Sequence, residues 1–387
     1  MLRIAVIFES SPFDRKGLFN AVHNRVKGLL GSGECWVDAY CIHSKDNFLT
    51  RRLRHTAYAP FVESVEIDGI TYKMLWYRFS ILDHVMLEKC GRRPFFFKKF
   101  LHSHVEYLKG YDYVVAHSFS GALFAYEAYR RYGTPYFVTW HGSDVHTHPL
   151  RSDVIREDTK KLMEAAKCNF FVSKALRSAS DMITGNACKD VLYNGVSEDF
   201  VRFDDDARVQ ARERFGVSPE EKVVAFAGNL VHVKNVLALP HIFKGVAEQY
   251  DAPVHFIIAG DGKLRSQLEA GFAAVGQSVR VSFLGNVAAE NMPALMNCVD
   301  VLVLPSLNEG LPLVCAEALR CGANVVGSDV GGIAEVIGKD NVVPLDDDFV
   351  PQIARKIVAM LLDKPVQTVP EAISWAKTAA REITCLK

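Results

Sequence analysis

Short apolar runs recur along this chain, separated by longer stretches whose apolar residues fall at helical spacing. Residues 3–8 (RIAVIF) predict a first strand, and Leu18, Val22, Val26 and Leu29 predict one face of the helix behind it. Further strands are expected at 37–42, 113–116, 136–140 and 170–172. Residues 65–75 differ, because Asp68-Gly69 between β-formers reads as a hairpin turn. The alternation restarts at Val223, with strands expected at 223–227, 254–259, 279–284, 301–304 and 324–327. Alternating strands and helices imply a mostly parallel sheet covered on both faces. The periodicity breaks at 194–206 (NGVSEDFVRFDDD), so the expectation is two Rossmann-like doubly wound domains, 1–190 and 191–370. The closing segment, 371–387, follows Pro365 and Pro370, has a helical pattern around Ile373, Trp375, Ala376, Ala380 and Ile383, and is expected to cross back to the first domain.

Composition narrows the classes. A length of 387 residues suits two domains, and 49% hydrophobic residues suffice for packed cores. Lys+Arg and Asp+Glu both number 45, so charge gives no sign of a nucleic-acid partner. No apolar run approaches the roughly 20 residues that span a bilayer. The N-terminus reads as a strand rather than a signal peptide. The nine cysteines form no CxxC pair, which fits a reducing cytoplasm without disulfide or zinc frameworks.

Candidate chemistry lies at the strand ends. The strand 301–304 leads through NEGLPLVCAE (308–317) into a helix over 314–320. Glu309 stands at the strand exit and Glu317 about two turns on. The free N–H groups of that helix start suit a phosphate, and the carboxylates suit hydroxyls. Gly228-Asn229-Leu230 closes the first strand of the same half, and Lys234 in the following turn is a point charge for a diphosphate. Gly260-Asp261-Gly262 precedes a helix carrying Arg265, and Phe283-Leu284-Gly285 ends a strand whose backbone could read a nucleobase edge. Gly331-Gly332 ends the last strand. In the first half, His141 follows a strand and is flanked by Gly142, which permits close approach. His141, His146 and His148 share no regular face, so no metal is expected there. Residues 91–100 (GRRPFFFKKF) are basic with interleaved aromatics. They read equally as an anionic membrane or lipid-phosphate contact and as a helix with a core Phe face and a solvated Lys face. Arg51, Arg52 and Arg54 either extend that patch or form a plain loop.

Together these residues resemble the family-four retaining glycosyltransferases of the GT-B type. NGV at 194–196, GNLVHVK at 228–234, AGDGKLRSQLE from Ala259, FLG at Phe283, LPSLNEGLPLVCAEAL from Leu304 and SDVGG to Gly332 lie in that family's order. Glu309 and Glu317 are similar to its E-x7-E pair, WHGSD at 140–144 to its HGSD motif, and ISWAK from Ile373 to its closing helix. The resemblance implies a GT-B fold, with two domains facing across a cleft and the nucleotide sugar, a UDP- or GDP-sugar, bound mainly by the second. Lys234 would hold the diphosphate, Glu317 the ribose, and Glu309 the transferred sugar. Gly228, Asn229, Gly260, Asp261, Arg265, Phe283, Leu284, Gly285, Gly310, Leu311 and Pro312 would complete the donor site. His141 would approach the sugar, and catalysis would rest on Glu309, His141 and Lys234 without metal or cofactor. The acceptor would be a glycan or lipid-linked saccharide in bacterial surface-polysaccharide or glycolipid synthesis, and the enzyme cytoplasmic or peripheral at the inner membrane face. Two departures stand out. Asn229 stands where the family carries Arg, so one positive charge on the diphosphate is missing unless Arg265 or another residue supplies it, and the first loop has Gly17 in place of paired glycines. A sugar-nucleotide epimerase of the same fold and a non-catalytic nucleotide-sugar binder are the alternatives.

Overall fold

The computed structural model describes residues 1–13, 17–46, 48–54, 59–90, 95–276, 279–363 and 367–387. The chain divides into two compact units, Met1–Gly195 with Ser374–Lys387, and Val196–Ile373.

Unit 1 is built on an eight-stranded sheet: β1 (Leu2–Glu9), β2 (Cys35–Lys45), β3 (Ser64–Ile67), β4 (Ile70–Arg78), β5 (Tyr113–His117), β6 (Tyr136–Trp140), β7 (Cys168–Phe171) and β8 (Lys189–Val191). Their order is β3-β4-β2-β1-β5-β6-β7-β8, parallel except for β3 against β4. The exception is the hairpin, where Asp68 and Gly69 both take positive φ, 50° and 75°. The order reverses direction between β1 and β5, a topological switch point. Ile4 to Phe8 of β1 are buried throughout, as a central parallel strand covered on both faces requires.

Two helices close one face of this unit. The first, Gly17–Gly31, buries Val22, Val26 and Leu29 against the sheet, but also Arg25. The C-terminal helix, Trp375–Leu386, belongs to unit 1 and buries Ile383, Leu386 and Glu382. Arg25 and Glu382 meet as a two-point ion pair, Nε to Oε2 at 3.0 Å and Nη2 to Oε1 at 2.8 Å, with side chains 1% and 0% exposed. Thr378 also donates to the carbonyl of Tyr193 at 2.6 Å, which ties the returning helix to the end of the first segment.

Unit 2 has six strands, all parallel: β9 (Lys222–Ala227), β10 (Val254–Ala259), β11 (Arg280–Gly285), β12 (Val301–Leu304), β13 (Asn324–Ser328) and β14 (Val342–Val343). Their order is β11-β10-β9-β12-β13-β14, the dinucleotide-fold arrangement with its switch point between β9 and β12. Val301 to Leu304 are fully buried, so the apolar run is a central strand with no solvent face.

The aromatic-basic stretch resolves in part. Gly91, Arg92, Arg93 and Pro94 lie outside the described residues. In the helix Phe95–His104, Phe97 and Phe100 are buried against Tyr77 and Phe124, while Lys98 and Lys99 are exposed. Those two rings are therefore core. Arg51 and Arg52 sit on the short helix Phe48–Arg54, with Arg52 exposed. Among the described residues no helix is long and apolar enough to cross a membrane.

Candidate active site

In unit 2 the loops after four strands converge. Three backbone hydrogen bonds lace those after β9, β10 and β11 together: Gly228 N–H to Ala259 at 2.9 Å, Leu230 N–H to Asp261 at 2.9 Å and Gly260 N–H to Gly285 at 2.7 Å. Gly260 has φ of 132°, and a Cβ there would overlap the Gly228 carbonyl, so no other residue fits. The loop after β9 is bound in turn to the loop after β12, where Leu307 N–H donates to Val233 at 2.8 Å. That bond brings Lys234, in the turn His232–Lys234, beside the exit of β12.

The result is one charged pair at the switch point. Lys234 Nζ lies 2.5 Å from Oε1 of Glu309, and the buried Ser306 hydroxyl donates to the same oxygen at 2.7 Å. The Ser328 hydroxyl holds the Ser306 carbonyl from β13. Gly331 closes the support from the far side: its φ is 52°, and a Cβ would overlap the Glu309 carbonyl. Ser306 was not foreseen, although its place two residues beyond β12 is the usual address of such a residue.

Gly310, Leu311 and Pro312 form the short approach to the helix Leu313–Arg320, whose N-terminus has no side-chain cap. Its first N–H groups are thus available to an anion. Glu317 stands on this helix, and burial raises its carboxyl to about 7. A buried carboxylate favours ionisation again once hydroxyl groups donate to it.

Arg265 does not join Lys234. Its guanidinium bonds Glu269 at 2.9 Å, lies 3.9 Å from Asp261 and rests 5.6 Å over the Phe283 ring, beside Gly285. Its charge thus belongs to the β10–β11 edge, with Asp261, Phe283, Leu284 and Gly285. Asn229 is exposed at the end of β9.

In unit 1 the strand ends β1, β4, β5 and β6 gather a second polar set. Glu9 accepts from Tyr77 at 2.9 Å and from Ser120. His141 follows β6, which is anchored by the buried Trp140, whose indole N–H reaches Asn169 at 2.9 Å. Asp144 accepts the backbone N–H groups of Phe119 at 3.2 Å and His141 at 3.5 Å. Burial raises Asp144 to about 6 and lowers His141 to about 3, the Arg25 charge adding to the latter. His141 therefore stays neutral at physiological pH. His148 packs edge-on against Phe119, and among the described residues no group of His, Cys, Asp or Glu is placed to hold a metal. Gly17 is the exposed first residue of its helix, and residues 14–16 before it lie outside the described residues. Glu9, Tyr77, Ser120 and His117 were missed in the sequence, although a histidine ending an apolar strand, as His117 does, carries the same signal as His141.

Comparison with known proteins bears first on unit 2. Residues 208–377 match the family described as glycosyl transferases group 1. That match covers most of unit 2. Among curated relatives, the 2-deoxystreptamine glucosyltransferase of Streptomyces kanamyceticus is 29% identical over 63% of this chain and 65% of its own length. A Campylobacter jejuni N-acetyl-D-galactosaminyltransferase, named for an undecaprenol-linked acceptor, is 37% identical over 38% of this chain and 40% of its own. The matched regions span less than two thirds of these relatives. Solved structures extend the likeness to both units. HepE from Anabaena, in complex with UDP and glucose, has a TM-score of 0.69 at 18% identity, covering 100% of this chain and 97% of that one. Sucrose-phosphate synthase from Thermosynechococcus elongatus gives 0.71 at 17%, covering 100% and 95%. The two-domain α/β fold is that of the GT-B glycosyltransferases.

Proposed function

We propose that this protein transfers a sugar from a nucleoside-diphosphate sugar to a hydroxyl of a saccharide or lipid-linked saccharide, with retention of anomeric configuration. The observation that carries this reading is the Lys234–Glu309 pair at the β9–β12 switch point, beside the uncapped start of the helix Leu313–Arg320. Departure of a nucleoside diphosphate builds negative charge on the leaving oxygen. Lys234 and the helix N–H groups stabilise that charge more in the transition state than before it. Glu317 accepts from the ribose, and the edge formed by Gly260, Asp261, Arg265, Phe283 and Gly285 receives the nucleobase. Glu309 orients the transferred sugar and offsets its growing positive character. The acceptor hydroxyl attacks from the face that the diphosphate leaves, its proton passing to the departing phosphate, so no covalent glycosyl intermediate forms. In this reading no divalent cation is needed.

The names of the relatives support a saccharide acceptor, and HepE with UDP and glucose supports a uridine donor. A role in bacterial surface glycan or glycolipid assembly at the inner membrane face follows from a lipid-linked acceptor, with Lys98, Lys99 and Arg52 as the exposed basic contacts. The test is a thermal-shift screen over UDP- and GDP-sugars, followed by NMR analysis of products formed with a simple glycoside acceptor. Stabilisation by one donor and its nucleoside diphosphate, with an α-linked product from an α-linked donor, is expected. A β-linked product refutes retention, conversion of donor alone indicates an epimerase, and no stabilisation by any donor refutes the reading.

A further inference from the structure

His117 ends β5 and is 1% exposed. Its Nδ1 lies 3.1 Å from Nε2 of His141, with the rings stacked at 5.4 Å and 28°. The other nitrogen of His117, Nε2, is buried and has no hydrogen-bond partner among the described residues. Asp144 fixes the backbone on both sides of the pair through Phe119 and His141. Burial and the nearby Arg25 guanidinium hold both rings neutral.

Two neutral imidazoles facing nitrogen to nitrogen share a single proton, so two arrangements exist. If His141 donates from Nε2, then Nδ1 of His117 is bare and His117 carries its proton on Nε2. That leaves a buried N–H without an acceptor. If His117 donates from Nδ1, its buried Nε2 is a bare lone pair. An orphaned buried donor is the rarer fault in folded proteins. The second arrangement is therefore the stable one, and it places the proton of His141 on Nδ1.

We propose that His117 is a positioning residue that fixes His141 as an Nδ1–H donor to a substrate oxygen, a hydroxyl of the sugar or an oxygen of the leaving phosphate. This rests on the transferase reading for the identity of the oxygen, but not for the tautomer. His141 then enters the reaction as a neutral hydrogen-bond donor, with no proton to give or take.

Proton–nitrogen correlation spectra of the isotope-labelled, ligand-free protein read the tautomer directly, with His141 assigned by its loss in His141→Gln. The Nδ1–H form is expected. An Nε2–H form in the wild type overturns the proposal whatever the activity. In His117→Phe, Nε2–H should appear and kcat should fall by about tenfold or more with donor KM little changed, as expected for a histidine in the wrong tautomer. His117→Gln, whose amide N–H can still donate to Nε2, should recover much of kcat. Unchanged kcat in a folded His117→Phe refutes the role. If that variant does not fold, the wild-type spectrum and the glutamine variant decide. A wild type that shows the Nδ1–H form but turns over no nucleotide sugar refutes the transferase reading alone.

Discussion

The ammonium of Lys234 rests 2.5 Å from a carboxylate oxygen of Glu309 across 75 residues of sequence. The pair ties the cation proposed to bind the diphosphate to the carboxylate proposed to bind the sugar, so each orients the other. Lys234→Ala is expected to lower turnover by about 10²-fold or more, the order found when one oxyanion donor is removed. Near-normal turnover at saturating donor would count against the role. Glu309→Gln should keep its melting temperature within a few degrees and lose transfer, because Ser306 can still donate to the amide oxygen. An active, well-folded variant would defeat that assignment.

Glu317 gives a pH signature. Its folded value, about 7, exceeds the ordinary 4.5. Between those values the folded protein holds a proton that the unfolded chain has released. This group's contribution to stability is therefore full on the acid side and is lost as pH rises to about 7. In the proposed donor site ribose hydroxyls donate to ionised Glu317, so nucleoside-diphosphate binding below pH 7 should release a proton. Calorimetry at about pH 6.5 in buffers of different ionisation heat measures that release. Glu317→Gln should abolish it and weaken binding, and an unchanged proton count would remove Glu317 from the ribose contact.

The Arg25–Glu382 pair makes a stability prediction. Truncating either partner strands a buried charge, so Arg25→Ala or Glu382→Ala should cost about 3–5 kcal/mol in urea unfolding. The apolar double replacement, Arg25→Met with Glu382→Leu, should regain most of that loss, because desolvating the ions offsets their attraction. Equal losses in the single and double variants would show that packing, not charge, holds the returning helix.

Two glycines separate strain from site geometry. Gly331 and Gly216 share left-handed φ, 52° and 67°, but only at Gly331 would a Cβ meet another backbone, that of Glu309. Both alanine variants should lose about 1–2 kcal/mol from φ strain. Gly331→Ala alone should also lose turnover by about 10²-fold through displacement of Glu309. Comparable activity in the two variants would break the link between Gly331 and the carboxylate.

Much of the architecture was legible because parallel strands buried on both faces leave uninterrupted apolar runs. The runs at 3–8, 223–227 and 301–304 sit within or at observed strands. β8 and β14 escaped notice for a physical reason. Lys189-Asp190-Val191 and Val342-Val343 are short edge strands, placed by backbone pairing and not by a hydrophobic signal. At the strand ends the sequence singled out Lys234, Glu309 and Glu317, and the structure brings the first two into contact. That contact was not legible, since nothing local says that Lys234 reaches Glu309. Arg25 and Glu382 were invisible for the opposite reason: each looks like an ordinary surface charge on an amphipathic helix, and only the fold reveals that they are buried together. Arg265 showed a further limit, because its register on the helix Arg265–Val275 turns it over Phe283 and not toward the charge missing at Asn229.

The helix that carries Glu382 is made after the whole of the second unit, although it completes the first. A nascent chain emerging from the ribosome presents Arg25 early and must synthesise the whole of Val196–Ile373 before the matching carboxylate arrives. The second lobe, one unbroken stretch, is free to fold during that wait. The first lacks its partner helix beside Arg25 until Trp375–Leu386 has been made.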